Sequence, residues 1–409
     1  MSLLEAIESY HGLLSEELAQ DTHAQLTQQL QRRGLLFGDR LLCSVLRPRF
    51  LTAQQYRFLQ ERGRLLLAAV ARAHERAMQD AAFRAQFGLL DWEETLLADD
   101  PGFAAPSPLS RLDAFFVHER GGLRFTEYNA ETPAGNAYND ALADVFLGLP
   151  AMRAFLRQYE LRTTPTRHML MHTLLGAYRD WSGSRQVPRI AILDWRNVPT
   201  YSEFVLVADY LRRQGLDCVI ADPQEAEYRS GRLYISGVQV DLIYKRVLIH
   251  ELIERCGLDH AVVRAVRERK VCMVNPFRCK ILHKKLSLAV LGDERNRDLF
   301  DAAEQEVIAA HIPWSRRVEE RTTEFHGQTV DLLPFAEQER ERLVLKPNDD
   351  YGGRGIVLGW EVTPERWSQA LQTALHEPFV VQERIEIPTE TYPVLVDNQL
   401  RFEERILDT

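Results

Sequence analysis

The stretch FTEYNAETPAGNAYND, residues 125 to 140, places a carboxylate at Glu127 and an amide at Asn129, two residues apart. Alternate side chains of a β-strand leave the same face, so these two project together. Asp113, in the preceding run RLDAFFVH, can sit opposite them once the two runs pair. Three hard oxygen donors then meet at one spot. Mg²⁺ takes oxygen ligands in a near-octahedral shell and usually keeps only one or two protein carboxylates, leaving the rest to water and phosphate. Two carboxylates and an amide suit it. The same residues also fit a solvated hairpin edge, with Asn129 capping a turn at Thr132-Pro133.

Two later segments carry complementary chemistry. In LVLKPNDDYGGRGIVL a strand ends at Lys346-Pro347 and leads into Gly352, Gly353 and Gly355. Backbone N–H groups of such a loop can close over phosphate oxygens, with a cation at the strand end. The loop matches neither GxxxxGK[ST] nor GxGxxG, so neither of those nucleotide folds is expected. In HEPFVVQERIEIP an apolar strand delivers Gln382 and Glu383 at its end, where amide and carboxylate groups suit an adenine edge and a ribose. Each segment alone is also an ordinary turn or a buried strand with a polar exit.

The elements that must position these groups follow from periodicity. The 409 residues, 45% hydrophobic and 27% charged, suit two or three globular domains. No apolar run approaches a membrane span, and the start MSLLEAIESYHGLL lacks the features of a signal peptide. Five scattered cysteines without CxxC spacing point to a reduced, cytoplasmic setting, and a formal charge of −9 argues against nucleic acid as a partner, the local basic run 264–285 aside. Residues 1 to about 95 carry helical periodicity, with Leu59, Leu66 and Val70 on one face. DDPGFAAPSPLS reads as a loop, followed by a hairpin turning at Gly121-Gly122. RIAILDW, YSEFVLVADYLRRQG and LDCVIAD form a βαβ unit and imply a parallel sheet. GRLYISGVQVDLIYKR reads as a hairpin, 250–269 and 281–291 as helices, and VCMVNPF as a short strand, giving a mixed α/β and α+β pattern.

Taken together, the segments resemble the circularly permuted ATP-grasp proteins related to the synthetase half of glutathionylspermidine synthetase. EYNAETP (127–133) is similar to that family's EYNADTP type of motif, and Arg111-Leu112-Asp113 to its Arg-x-Asp. The resemblance spans residues 105 to 409 and implies a division into a helical region 1–98, a metal-binding hairpin and helices 99–185, a Rossmann-like βαβ pre-ATP-grasp domain 186–275, and a nucleotide-binding part 276–409. It implies Asp113, Glu127 and Asn129 as Mg²⁺ ligands and Arg111 as the group steadying the transferred phosphoryl. VNPFRCKILHKKLSLAVL resembles the family's Asn-Pro segment with a lysine some ten residues on, which implies Lys285, beside Lys284, as the first phosphate lysine. Lys346 becomes the second, Gly352, Gly353 and Gly355 the flap, and Gln382 and Glu383 the adenine and ribose end. Arg354 sits in the flap as a catalytic candidate of open role. The hairpin is longer than the family's, and after EERILDT relatives continue into further strands and a substrate-facing loop. No cysteine amidase segment precedes the hairpin, so a bifunctional synthetase/amidase is not expected.

The implied activity is an ATP- and Mg²⁺-dependent ligase joining a small-molecule or peptide carboxylate to an amine through an acyl phosphate. The alternatives are a phosphotransferase that stops at the phosphorylated product and a nucleotide-binding module without turnover. Asp194 and Arg196 in DWRNVPT, with Arg246 in DLIYKR, lie at the carboxyl edge of the expected parallel sheet and are substrate candidates. His168 and His172 share a helix face but lack the Glu of HExxH and read as helix packing, and no GxSxG elbow is present. A glycosidase reading of Asp113 with Glu127 leaves Lys285, Lys346 and the glycine loop without work.

Overall fold

A computed structural model describes residues 2–117, 122–349 and 354–409. The amino-terminal third is helical, as its periodicity implies. Capping boxes at Ser2/Glu5 and Thr52/Gln55 start the helices Leu3–Leu13 and Ala53–Gln79. The second buries Leu66, Ala69, Val70, Ala73 and Ala77, one stripe at helical spacing. That stripe closes no core of its own. It packs with Phe116, Leu123 and Phe125 of the hairpin and with Leu288 and Leu291 from far along the chain.

The hairpin pairs Arg111–Val117 with Gly122–Asn129, and the turn expected at Gly121 falls outside the described residues. Its register opposes Asp113 to Glu127 and Arg111 to Asn129, but then steps from Glu127 to Phe125 across Asp113/Ala114. Thr126 is the extra residue of this bulge, and its Oγ1 donates to the Asp113 carbonyl at 3.1 Å. The bulge decides which way the polar residues point. Leu123 and Phe125 are buried, so strict alternation would send 127 and 129 into the same core. With Thr126 inserted, Tyr128 takes the core face, and Glu127 and Asn129 turn away from it.

The parallel sheet has the spatial order Cys272–Val274, Leu242–Lys245, Ile190–Leu193, Cys218–Ala221. Its two central strands are buried throughout, because helices cover both faces. Strand order reverses between Ile190–Leu193 and Leu242–Lys245, which makes their carboxyl ends a switch point. The segment expected as one hairpin divides here. Arg232–Ile235 pairs with Val238–Gln239, whereas Leu242–Lys245 joins the parallel sheet, since four consecutive buried residues need cover on both faces. Two expected helices are also broken. One parts at Gly257, whose φ is +77°, giving Ile249–Cys256 and Ala261–Arg267. The other parts at Lys284-Lys285, giving Cys279–His283 and Leu286–Leu291, because the Lys285 N–H donates to the Asn348 carbonyl at 2.9 Å instead of continuing the helix.

An antiparallel sheet, in the order Ser315–Arg317, Phe379–Glu383, Leu343–Pro347, Val357–Leu358, is covered on one side by the helix Pro364–His376. Its other side meets Leu286 and Ala289 through Val380. A last hairpin, Thr389–Val396 with Gln399–Ile406, returns to the amino-terminal region, where the buried Arg47 pairs with Glu390. Among the described residues no helix is long and apolar enough to cross a membrane.

Candidate functional site

The bulged hairpin presents its polar face to the break at Lys284-Lys285. Arg111 grips both oxygens of Asp113, at 2.5 and 2.9 Å, and donates to the Ala134 carbonyl at 2.9 Å. The Asn129 amide donates to Asp113 Oδ2 at 3.0 Å. Glu127 Oε1 lies 3.0 Å from Lys285 Nζ. Burial pushes the Glu127 carboxyl up, but Lys285, then His283 and Lys346, outweigh it and hold the group below the usual glutamate range. The three side chains offer a divalent ion two carboxylates and an amide oxygen, hard donors of the kind Mg²⁺ takes. Their negative charge is balanced here by Arg111 and Lys285. Among the described residues no cluster of three His, Cys, Asp or Glu forms a metal site, so the set reaches three ligands only through Asn129.

Glu127 opens into a cleft whose wall includes His283, Lys285, Ile356, Lys346 and Gln382. Lys346 Nζ donates to Gln382 Oε1 at 2.7 Å, and Gln382 Nε2 donates to Ser315 Oγ at 2.9 Å. Burial lowers the Lys346 ammonium to about 8; Glu127 opposes this and Lys285 adds to it. The two neighbouring lysines part company at the helix break. Lys285 faces the cleft, while Lys284 is buried between Glu93 at 2.7 Å and Asp349 at 2.9 Å. Lys284 is therefore part of neither a solvated helix face nor the cleft wall.

Other residues named from the sequence lie elsewhere. Glu383 leaves the opposite face of its strand from Gln382; its carboxylate meets His326 at 2.9 Å and its N–H donates to the Trp314 carbonyl at 2.7 Å. Gly355 has φ +68°, a conformation suited to glycine, and immediately precedes Ile356 on the cleft wall. Arg354 is exposed and does not line the cleft, and Gly352 and Gly353 fall outside the described residues. Asp194 and Arg246 sit at the switch point. Burial pushes the Asp194 carboxyl up to about 6, against the Trp195 N–H and Arg246. Arg246 is buried and spans from Glu203, at 3.5 Å, to the carbonyl of Pro133, the last residue of EYNAETP. Arg196 turns outward to Glu225. His168 and His172 are exposed rather than packed, their Nε2 atoms 3.1 Å apart.

No family model and no curated protein sequence matches the chain. Among solved structures, the apo form of a glutathione synthetase-like effector from Globodera pallida superposes with a TM-score of 0.61 at 12% identity, covering 94% of this chain and 86% of that one. The chain has a glutathione synthetase-like fold. The shared feature is the arrangement itself, a mixed α/β molecule of helices and several small sheets.

Within this glutathione synthetase-like fold, the sequence reading missed a buried ionic network behind the cleft. Glu93, Glu131 and Asp349 face Lys245, Lys280 and Lys284: Lys280 lies 2.8 Å from Asp349, 3.3 Å from Glu131 and 3.7 Å from Glu93, and Lys245 lies 3.6 Å from Glu131. Burial disfavours every charge, yet Lys280 and Lys245 hold the Glu131 carboxyl far below its usual range, and Glu131, Asp349 and Glu93 hold Lys280 above the usual lysine range. His283, beside them, is pushed down to about 4 by burial, with Glu131 opposing and Lys280 adding. The network ties the residues after the hairpin to the root of the glycine loop. Asn275 adds a polar clamp, donating to the carbonyls of Leu109, Ala130 and Glu131 at 2.6, 2.8 and 3.0 Å and accepting from the Leu109 N–H. The spacing of Lys280 and Lys284, four apart on one helical face, was the available signal.

Proposed function

We propose that the chain is an ATP- and Mg²⁺-dependent carboxylate–amine ligase of circularly permuted ATP-grasp type, related to the synthetase half of glutathionylspermidine synthetase. The observation that carries this reading is the meeting of an early acidic hairpin with late basic side chains: Glu127 and Lys285, 158 residues apart, form an ion pair in a cleft that Lys346 and Gln382 complete. Glutathione synthetase-like architecture supports it.

In this reading Asp113, Glu127 and Asn129 would hold Mg²⁺, which when bound neutralises charge on the phosphate oxygens. Lys285 and Lys346 bind the phosphates, and the glycine loop that carries Arg354 would close over them. Arg111, which donates to Asp113 and to the Ala134 carbonyl, takes the role of steadying the transferred phosphoryl group. The substrate carboxylate attacks the γ-phosphorus and ADP leaves, giving an acyl phosphate. An amine then attacks the acyl carbon, phosphate departs with the C–O bonding pair, and the amine proton is lost. No protein nucleophile is required; positioning and charge neutralisation carry the chemistry. Water must be kept from the acyl phosphate, which gives the glycine loop its work. Residues 186–275 serve as the substrate side, with Asp194 and Arg246 at its switch point and Arg196 at its outer rim, and residues 1–98 brace the nucleotide part, 276–409, against the hairpin region, 99–185.

The test is product analysis with panels of small or peptide acids and amines. ADP release that depends on both substrates, with amide formed, is the expected result. A stable phosphorylated acid formed without amine marks a phosphotransferase, and ATP binding without turnover a binding module. Glu127→Gln should keep the fold yet lose the extra thermal protection that Mg²⁺-ATP gives the wild type; equal protection in both proteins counts against the ligand assignment.

A further inference from the structure

Buried polar atoms nearly always have a hydrogen-bond partner, so an orphan at the wall of a cleft marks a place where a ligand atom belongs. His283 carries such an atom. Its side chain is about nine-tenths buried and lines the cleft, and among the described residues its Nδ1 has no partner. Among the described residues the other ring nitrogen has no hydrogen bond either. Nε2 stands 3.8 Å from Glu131 Oε2, beyond hydrogen-bond reach, and that oxygen already faces Lys280 Nζ at 3.3 Å. A neutral imidazole bound by no protein partner carries its proton on whichever nitrogen the ligand requires. The remaining charges of the wall decide the ligand's sign. Lys285 and Lys346 are cations, and among the described residues of the wall only Glu127 opposes them.

We infer that His283 is a third phosphate-contact residue of the cleft, donating from Nδ1–H to a phosphoryl oxygen of the bound nucleotide. It rests on the nucleotide-cleft reading above but adds a residue that reading does not use. The imidazole supplies a directed donor that two flexible ammonium groups cannot, and it does so without placing another permanent charge beside Lys285.

The experiment is calorimetric titration of the full-length chain with Mg²⁺-ATP, inorganic tripolyphosphate and adenosine, on wild type, His283→Ala, His283→Asn, His283→Gln and His260→Ala. His260 also has a buried Nδ1 without a partner among the described residues, but lies away from the cleft and serves as the control. Removing one directed donor should weaken ATP and tripolyphosphate roughly tenfold in His283→Ala. Asparagine, whose amide N–H stands near the place of Nδ1, should recover affinity to within about threefold, whereas glutamine, reaching toward Nε2, should not. Adenosine affinity and His260→Ala should be unchanged. Thermal melts of each variant separate loss of fold from loss of contact. Wild-type affinity for tripolyphosphate in His283→Ala, or an asparagine variant as weak as alanine, overturns the inference while leaving the cleft reading intact. A wild type that binds neither ATP nor tripolyphosphate overturns both.

Discussion

Lys346 carries its charge at a cleft wall that disfavours it. Its ammonium is lowered to about 8, against 10.5 in an unfolded chain, chiefly by burial. Between those values the unfolded chain binds the extra proton, so stability rises with pH across that window and is lowest below it. Lys346→Met should therefore raise Tm at pH 7 in the ligand-free chain and flatten the alkaline pH dependence, while weakening ATP at least roughly tenfold. An unchanged Tm and slope would show that the ammonium is solvated. Asp194 has the opposite sign. Its carboxyl is raised from 3.8 to about 6, so the native state binds the extra proton between those values and stability falls as pH rises through them. Asp194→Asn keeps an acceptor for the Trp195 N–H, bonded at 2.8 Å, and should be more stable than wild type at pH 7.5, with the two curves converging near pH 4. At this scale residue type alone was informative: Glu127, Lys285, Lys346 and Gln382, chosen for their chemistry, line one cleft, with Asp113 and Asn129 beside Glu127 on the hairpin. Glu383 and Arg196 face elsewhere, because the face of a strand or the exit of a loop depends on what packs beside it.

At the scale of elements, the bulge and the clamp do the placing. Thr126 shifts the alternation of its strand so that a sequence with apolar residues at 123 and 125 still presents Glu127 and Asn129 outside the core. Asn275 ties Leu109, Ala130 and Glu131 together on either side of that hairpin. Asn275→Ala should cost about 2 kcal/mol or more, because the buried Leu109 N–H and the Glu131 carbonyl lose their partner, while the Leu109 and Ala130 carbonyls are left to share the Ser107 hydroxyl. Urea unfolding measures it; a cost below about 1 kcal/mol would mean that water replaces the amide. The hairpin, the βαβ unit and the amino-terminal helices were legible because period 2 and period 3.6 are local patterns. The breaks at Gly257 and Lys284-Lys285 and the parallel pairing of Leu242–Lys245 were not. A helix stopped by a carbonyl 63 residues further on, that of Asn348, leaves no mark in its own window.

At the scale of the molecule, the buried network joins pieces that no single core unites. Glu93 comes from an amino-terminal helix, Glu131 from behind the hairpin, Lys245 from the parallel sheet, and Asp349 from the root of the glycine loop. Breaking one partner leaves an uncompensated buried charge, which costs about 3–5 kcal/mol, whereas removing both ends of a pair costs far less than the sum. Lys284→Met and Glu93→Gln should each lower stability strongly, and the double variant should recover part of the loss in a chemical-denaturation cycle. Additive losses would show that the two groups do not act as a pair.

The chain's own letters determined what is local: which runs are strands or helices, which residues carry oxygen, amide or ammonium groups, and how those groups are spaced within a turn or two. Tertiary structure alone decided which of two adjacent lysines faces the cleft, that Arg246 is buried against Pro133, and that Glu93, Glu131 and Asp349 meet Lys245, Lys280 and Lys284 in one charge-balanced interior. The reason is physical. A backbone preference is settled by neighbours within a few residues, whereas the burial of a charge depends on every partner that surrounds it, and those partners arrive from the whole length of the polypeptide.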